Sequence, residues 1–167
     1  QAFVCSKCFL VQIDDVESPE HHFNGNYAYF SSYSKSFVQH AEKYCETMRS
    51  EHGIGKGHQV IEIASNDGYL LQHFLKHGIA VQGIDPSANV ARVAEEKGIR
   101  TLVQFFGKKL AQDLKAQGMT ADLLIGNNVV AHVPDINDFI GGMKTVLKPG
   151  GIITLEFPHL LRLLEDV

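Results

Sequence analysis

The sequence predicts an α/β fold, a doubly wound parallel sheet with helices on both of its faces. Short apolar runs typical of buried strands occur at residues 60–63, 79–85, 101–104, 121–128 and 152–157. Helical stretches lie between most of these runs, and Gly, Asn or Asp residues mark many of the junctions. Because strands that alternate with helices pair in parallel and are covered on both faces, this order predicts a Rossmann-like sheet over residues 57–167.

The composition indicates one ordinary domain with a small appendage. The 167 residues are 44% hydrophobic and 20% charged, which is enough to bury a single core. The formal net charge is −4 and the Lys and Arg residues are scattered, which disfavours a nucleic-acid partner. No apolar run approaches the roughly 20 residues that cross a bilayer, and no signal peptide is visible. We therefore expect a cytoplasmic protein without membrane contact.

The first 25 residues are predicted to be the remnant of a zinc-binding domain. Cys5 and Cys8 have the CxxC spacing with which two thiolates share a zinc ion. A complete site needs two more ligands, and the adjacent His21 and His22 are poorly spaced to reach one tetrahedral ion together. We therefore expect structural zinc at the two cysteines only if further ligands lie upstream. The alternative is a pair of solvent-facing thiols.

Residues 26–56 are predicted to form an aromatic loop followed by a helical lead. The loop, FNGNYAYFSSYS at residues 23–34, suits either the wall of a binding cleft or an aromatic cover over the core. The loop contains Tyr27, Tyr29 and Tyr33, each with a hydroxyl suited to a polar ligand. A helix over residues 35–50 has apolar side chains at spacings of three and four. Cys45 lies on that apolar face, so we expect a buried small hydrophobe rather than a nucleophile.

The stretch HQVIEIASNDGYLL, residues 58–71, predicts a strand, a tight turn and a helix. The first such turn of an open α/β sheet is where nucleotide-like ligands bind, because small residues let backbone N–H groups approach the ligand. Glu62 at the strand end would repel a pyrophosphate but can hold a cationic amino group. The turn also lacks the G-x-G-x-x-G spacing of dinucleotide sites. We therefore predict S-adenosylmethionine as the ligand, the alternative being a turn that binds nothing.

Further candidate cofactor residues follow the strand ends. Asp85 ends the second strand and is placed to accept hydrogen bonds from both ribose hydroxyls, unless it only caps the helix near Ser87. Phe105 and Phe106 fall where an adenine would lie, although paired Phe residues are as often part of a core. The predicted cofactor site comprises Glu62, Ala64, Asn66, Gly68, Tyr69, Leu70, Asp85, Pro86, Phe105, Phe106, Asn127 and Asn128.

His132 follows the fourth strand directly, which predicts a position at the ligand-binding edge of the sheet. There it would help to handle a proton or an oxygen of a substrate. The alternative is a histidine hydrogen-bonded to loop backbone. Next along the chain, Asp135 is predicted to start a helix, and the Lys148-Pro-Gly-Gly sequence is predicted to close it before the fifth strand.

These motifs resemble those of the nucleotide-sugar C-methyltransferases, enzymes that install a methyl branch on deoxysugars. The resemblance covers essentially the whole chain and rests on an ordered set of motifs: CxxCFLVQ, NYAYFSSYS, EIASNDGYLLQHF, GIDPSANVA, NNVVAHVPDINDF and LEFPH. It implies a class I methyltransferase core that is incomplete at its C-terminal end. It also implies a short N-terminal zinc-ribbon remnant and a helical lead.

The resemblance implies C-methylation of a keto-deoxysugar linked to a nucleotide, with S-adenosylmethionine as methyl donor. A base removes the proton beside the ketone, and the resulting enolate attacks the sulfonium methyl group. By similarity, Tyr27 and His132 face the sugar and are the candidate catalytic residues. The family's Tyr-His-Glu-His cluster would follow the last residue of this sequence, so we expect an internal fragment with little or no turnover. Two alternatives remain: O- or N-methylation of another small metabolite, and a non-catalytic module that binds zinc or the cofactor.

Overall fold

A computed structural model describes residues 1–13, 23 and 27–165 of the chain. His21, His22 and the domain boundary predicted at residue 25 lie outside the described residues. Short 3-10 turns occur at Ser31–Tyr33 and Val130–His132. The helices and strands are, in chain order, β1 (Ala2–Val4), β2 (Val11–Ile13), α1 (Lys35–Glu51), β3 (Gln59–Ile63), α2 (Leu71–Lys76), β4 (Ala80–Ile84), α3 (Ala88–Glu96), β5 (Thr101–Leu102), α4 (Lys108–Ala116), β6 (Ala121–Asn127), α5 (Ile136–Val146), β7 (Leu147–Glu156) and α6 (Leu160–Glu165).

Five of the strands form one parallel sheet in the order β5-β4-β3-β6-β7. Side chains alternate along each strand, so that Val60 and Leu123 join the apolar cluster under α1 and α2. Ile61 and Leu124 join the second cluster, under α4 and α5. The α/β fold class predicted from the sequence is therefore confirmed.

The order of the strands reverses at the centre of this sheet. β3 pairs with β4 on one side and with β6 on the other, so the chain leaves β3 toward one edge and later returns to the opposite side. A crevice opens at such a switch point beyond the carboxyl ends of the strands, and ligands of open α/β sheets bind there. The topology thus places the candidate site above β3, β4 and β6.

The structure differs from the sequence prediction in three elements. Helix α4 was implied by the alternation but had no predicted position. β5 ends at Leu102 rather than residue 104, because the Gln104 amide turns back to the Leu102 carbonyl. The predicted helix-closing Lys148-Pro-Gly-Gly sequence instead lies inside β7. Leu147 pairs with Ala121 whereas Ile152 pairs with Leu123, so the intervening residues form a bulge.

Helix α1 forms where the sequence predicts it. The Ser34 hydroxyl accepts a hydrogen bond from the Phe37 amide and so caps the first turn. Ala41, Cys45 and Met48 are the buried side chains of its inner face. Cys45 is 1% exposed and burial raises its thiol pKa to about 11, so the prediction of a buried hydrophobe is confirmed.

The N-terminal residues form a separate small element. β1 and β2 pair as an antiparallel hairpin, and their side chains are exposed. Between the strands, the Phe9 amide donates to the Cys5 carbonyl and the Cys5 amide donates to Leu10. In the part of the chain that the structure describes, none of the helices combines the length and the apolar character that a bilayer crossing requires.

Gly68 provides a test of how the first turn of the sheet is packed. Its φ is +75°, and a Cβ atom added there would lie 2.5 Å from Cδ1 of Ile99. Gly118 has a φ of +77° with nothing within 4 Å, so Gly118→Ala is a matched control for the backbone strain alone. Gly68→Ala is expected to lower the free energy of unfolding by about 1–3 kcal/mol more than the control, because of overpacking. Denaturant unfolding of both variants checks this, and equal losses would contradict it.

Candidate functional site

A cavity of about 640 Å³ opens above the carboxyl ends of the central strands. Its walls come from the turns after β3 and β4, from the segment after β6, and from the aromatic loop ahead of α1. The sequence-predicted residues that line it are Tyr27, Ala64, Asn66, Tyr69, Asp85, Pro86, Phe105, Phe106, Asn127, Asn128 and His132. The structure therefore brings most of the predicted site together.

Three predicted cofactor residues do not line this cavity. Gly68 faces Ile99 and Ala94, so its missing side chain serves the close packing of the turn against α3. Leu70 is 1% exposed and belongs to the apolar core. Glu62 is also 1% exposed and lies in the body of β3.

The turn after β3 has an unusual backbone conformation, and its Ser65, Asn66 and Gly68 amides donate to groups within the protein. Ala64 and Asn66 have φ values of 57° and 49°, in the left-handed region that costs about 1–3 kcal/mol for a residue with a side chain. The Ser65 amide donates to the Ile84 carbonyl at 3.2 Å, which ties the turn to the end of β4. This strained, small-residue turn forms the floor of the cavity.

Asp85 holds two neighbouring turns together at the cavity. Its Oδ2 accepts the Asn66 amide at 2.9 Å and its Oδ1 accepts the Ser87 amide at 2.8 Å. Burial raises the pKa of the Asp85 carboxyl, while these backbone donors act in the opposite direction. Asp85 thus accepts the amide of Ser87, the N-cap residue of α3, but no side chain among the described residues caps the amides of the helix itself. Each carboxylate oxygen has a further lone pair, so these contacts do not prevent Asp85 from also accepting ribose hydroxyls.

The Glu62 carboxylate is buried, and no hydrogen bond offsets its desolvation among the described residues. Neither of its carboxylate oxygens has a hydrogen-bond partner within the described part of the chain. Burial raises the pKa of Glu62 well above its ordinary value, and the nearby carboxylates Asp85 and Asp67 raise it further. A cationic group near this carboxylate would favour its charged form. The acceptor oxygens of Asp85 at the cavity, with the Glu62 carboxylate behind it, therefore fit a ligand that carries hydrogen-bond donors and a positive charge.

Other buried oxygens around this turn share the same property. Polar atoms inside proteins are normally hydrogen-bonded, and exceptions often mark a binding site. Among the described residues, further unpartnered oxygens near the strand ends belong to Ser65, Asp67, Ser87 and Asn89. These four residues lie behind the lining of the cavity rather than in it.

The two adjacent phenylalanines have different surroundings. Phe106 packs edge-on against Phe139 with ring centroids 5.5 Å apart and adjoins the core cluster. Phe105 is 44% exposed, and its ring lies 6.4 Å from that of Phe23. Both line the cavity. Phe105 thus has an accessible aromatic surface, whereas Phe106 serves the core as well as the wall.

The aromatic loop forms part of the cavity wall, as one of its two interpretations predicts. Tyr27, Tyr29 and Ser31 line the cavity, whereas Tyr33 is 81% exposed and does not. Phe37 also lines it, stacked on Tyr69 at 4.8 Å. Sequence reasoning missed the role of Phe37, because its helical spacing indicated only core packing.

His132 lies in the 3-10 turn after β6, and its ring borders the cavity. Asp135, next in the chain, accepts the amides of Asn137 and Asp138 at 2.9 Å each and so caps α5, as predicted. Asp135 and Asp138 also line the cavity, a position that the sequence did not indicate.

The two N-terminal cysteines remain a partial metal site. Backbone N–H groups of Cys8 and Lys7 hydrogen-bond the Cys5 sulfur and lower the pKa of the thiol. Among the residues that the structure describes, no group of three or more His, Cys, Asp or Glu side chains is arranged to hold a metal ion. Zinc at Cys5 and Cys8 therefore stays a prediction that these contacts do not support.

The sequence resembles those of known methyltransferases. The sequence model of the methyltransferase domain matches residues 61–153. The C-methyltransferase NovU of Streptomyces niveus is 32% identical over 163 residues, which are 98% of this chain and 39% of that protein. An O-methyltransferase of ubiquinone biosynthesis from Colwellia psychrerythraea is 30% identical over 117 residues, covering 69% of this chain and 47% of that protein. The chain therefore spans less than half of either relative.

A solved structure shares the fold. Magnesium protoporphyrin IX methyltransferase from Synechocystis PCC 6803, crystallised with bound SAM, superposes with a TM-score of 0.53. The match covers 66% of this chain and 54% of that one, at 18% identity. At this level of identity the likeness shows the common fold.

Glu62 makes the stability of the chain depend on pH. Its pKa is raised in the folded state, so its contribution to stability is fully present below the unfolded value near 4.5 and is lost as the pH rises through the folded pKa. Each unit of that pKa increase corresponds to about 1.4 kcal/mol. Glu62→Gln should therefore gain stability relative to the natural chain as the pH rises above the unfolded value. Thermal unfolding at several pH values measures this difference.

The exposed Glu46 on α1 offers a matched control for that measurement. Glu46→Gln removes one carboxylate without changing a buried charge, so its unfolding temperature should follow that of the natural chain at every pH. If the unfolding temperature of Glu62→Gln changed with pH in parallel with those of the natural chain and Glu46→Gln, the assignment of a buried, proton-binding carboxyl would be contradicted.

Proposed function

The chain belongs to the methyltransferase domain family, and we propose that it binds S-adenosylmethionine in the cavity above β3, β4 and β6. The observation that carries this proposal is the set of carboxylates at the strand ends. Asp85 lines the cavity with carboxylate oxygens that can accept ribose hydroxyls. Glu62 lies behind the lining, and its carboxylate, which has no hydrogen-bond partner among the described residues, would favour a cationic amino group nearby. Phe105 supplies an accessible aromatic face for the base.

We further propose that the whole protein transfers the methyl group to a carbon atom of a small keto sugar. The 98% coverage of this chain by its match to a C-methyltransferase supports carbon as the acceptor. The bound cofactor would supply an electrophilic methyl group on a sulfonium. A base takes the proton beside the ketone, a carbon–carbon bond forms, the carbon–sulfur bond breaks, and S-adenosylhomocysteine leaves.

Tyr27 and His132 are the proposed acceptor-side residues. Both line the same cavity as Asp85, from the aromatic loop and from the turn after β6. Burial raises the pKa of the Tyr27 phenol, and the nearby Asp85 adds to this effect, so Tyr27 stays protonated and acts as a hydrogen-bond donor. His132 is the residue of the pair whose imidazole is proposed to act as the general acid or base.

The cavity itself suggests how such an acceptor would lie. Among the described residues that line it, carboxylates occur at Asp85, Asp135 and Asp138, and Lys and Arg are absent. A diphosphate would be repelled by these carboxylates and would lack a cationic partner. We therefore propose that the keto sugar enters the cavity while the nucleoside diphosphate is held outside it.

O-methylation of a small metabolite is the second candidate, since relatives of that activity also match. The Colwellia relative matches 69% of this chain, against 98% for the C-methyltransferase. The difference favours carbon over oxygen as the acceptor, and the product itself decides between them.

Cofactor binding is tested by calorimetric titration of the chain with S-adenosylmethionine and, separately, with NAD in metal-free buffer. We expect saturable binding of S-adenosylmethionine alone. Asp85→Ala should weaken that binding about tenfold or more, since a hydrogen bond to a charged group is worth about 1.5–3 kcal/mol. Asp113→Ala is the control, because Asp113 is half-exposed on α4 and forms a surface ion pair with Lys109. Binding of NAD, or equal affinities in both variants, would refute the cofactor assignment.

The acceptor atom is tested with the whole protein that contains this chain. S-Adenosylmethionine labelled with ¹³C in its methyl group is incubated with a nucleotide-linked keto-deoxysugar, and NMR locates the label in the product. We expect a carbon-bound methyl group. His132→Gln should lower turnover about 100-fold, the lower range for acid–base groups, without changing cofactor affinity. A methyl group on oxygen would favour the second candidate instead.

A further inference from the structure

Asn66 connects two walls of the cavity through its side chain. Its Oδ1 accepts the backbone N–H of Ser31 at 2.9 Å, and its Nδ2 donates to the Tyr29 carbonyl at 3.1 Å. Asn66 is 6% exposed, so these bonds are shielded from water. The side chain thus hydrogen-bonds the backbone of the aromatic loop through both its amide oxygen and its amide nitrogen.

The same residue is tied to Asp85 through its backbone. The Asn66 amide donates to Oδ2 of Asp85 at 2.9 Å, and this requires the left-handed φ of 49°. Asparagine tolerates that conformation better than most residues with a side chain. One residue therefore contacts the proposed ribose acceptor through its main chain and the acceptor-side loop through its amide.

Further tethers hold the neighbouring loop residues. Asn89 on α3 donates to the Tyr27 carbonyl at 2.7 Å. Lys97 donates to the Ser32 hydroxyl at 2.8 Å and to the Asp67 carbonyl at 2.7 Å. These tethers fix the loop to α3 and its end, and the Ser32 amide also donates to Asp67 Oδ2 at 3.3 Å in the turn after β3. Among the described residues of that turn, Asn66 is the one that hydrogen-bonds both the loop and Asp85.

We propose that Asn66 is a positioning residue that couples the proposed cofactor site to the aromatic wall carrying Tyr27 and Tyr29. A ligand that spans the cavity contacts Asp85 on one side and Ser31 on the other, so it favours the arrangement in which Asn66 links them. Binding therefore orders the loop, and the ordered loop in turn strengthens binding. The coupling rests on the proposed function, but the amide bridge is a property of the free chain.

Amide hydrogen exchange resolved at Ser31, whose amide donates to Asn66, tests the bridge, with S-adenosylhomocysteine as the ligand. Asn66→Gly keeps the left-handed turn and its backbone bond to Asp85 but removes both side-chain bonds. In the free variant we expect exchange at Ser31 to rise about tenfold, as loss of about 1.4 kcal/mol of hydrogen bonding predicts. In the natural chain, saturation with the ligand should slow this exchange further, and in Asn66→Gly that response should disappear.

Two variants separate coupling from general support of the fold. Asn66→Asp retains an acceptor for the Ser31 amide, so it should restore much of the protection at Ser31. Asn89→Ala removes the tether at Tyr27 and makes no change at the turn, so the natural response of Ser31 to the ligand should persist. A residue with only a structural role would change protection equally in the free and bound chains.

Each result has a defined meaning. Unchanged exchange at Ser31 in free Asn66→Gly would overturn the bridge, whatever the ligand does. A bridge present in the free chain with an equal ligand response in both proteins would overturn the coupling. If the natural chain does not bind S-adenosylhomocysteine, the cofactor assignment fails, and with it the coupling, while exchange in the free chains still judges the bridge.

Discussion

The structure depends on the groups that stabilise buried carboxylates near the carboxyl ends of β3 and β4. Glu62, Asp67 and Asp85 are between 1% and 5% exposed, and burial of this kind disfavours the charged form. Two of them are compensated: Asp85 by backbone amides, and Asp67 by Lys97 at 3.6 Å and the Ser32 amide. The strained turn supplies one of these amide donors, and the aromatic loop supplies another. Glu62 alone is left without a partner among the described residues.

The hydrogen bonds to these buried side chains explain why segments distant in the sequence meet at one cavity. The loop ahead of α1 is held because its backbone completes the hydrogen bonds of Asn66 and Asp67 in the turn after β3. Helix α1 then covers one face of the sheet, and its Phe37 stacks on Tyr69 at the cavity. The N-terminal part is therefore a structural component of the site. A core cut at the start of β3 would lose one wall and the partners of two buried polar side chains.

The sequence predicted the sheet well because its strands read as short apolar runs, which the fold buries most completely at β3 and β6. It also located Asp85 and the turn, since both follow directly from strand ends. It did not distinguish Tyr69, which lines the cavity, from Leu70 and Gly68, which pack inward. In a short turn, neighbouring residues point in different directions, and the sequence does not indicate which one faces the cavity. The sequence did not predict the bulge in β7, because Pro and Gly usually end a helix or a strand. In β7 the residues before and after them both pair with β6.

Asn66 shows why roles inside a correctly located site are harder to predict. A small polar residue in a ligand-binding turn is typical of a ligand contact, and its chain neighbours give no sign of a second use. Its amide is engaged by Ser31 and Tyr29, which lie 35 and 37 positions earlier in the chain. Long-range backbone partners of this kind have no periodic signal, since any carbonyl or amide serves equally well. The fold decides which one is near, and so a residue's type limits its chemistry while its tertiary partners determine its role.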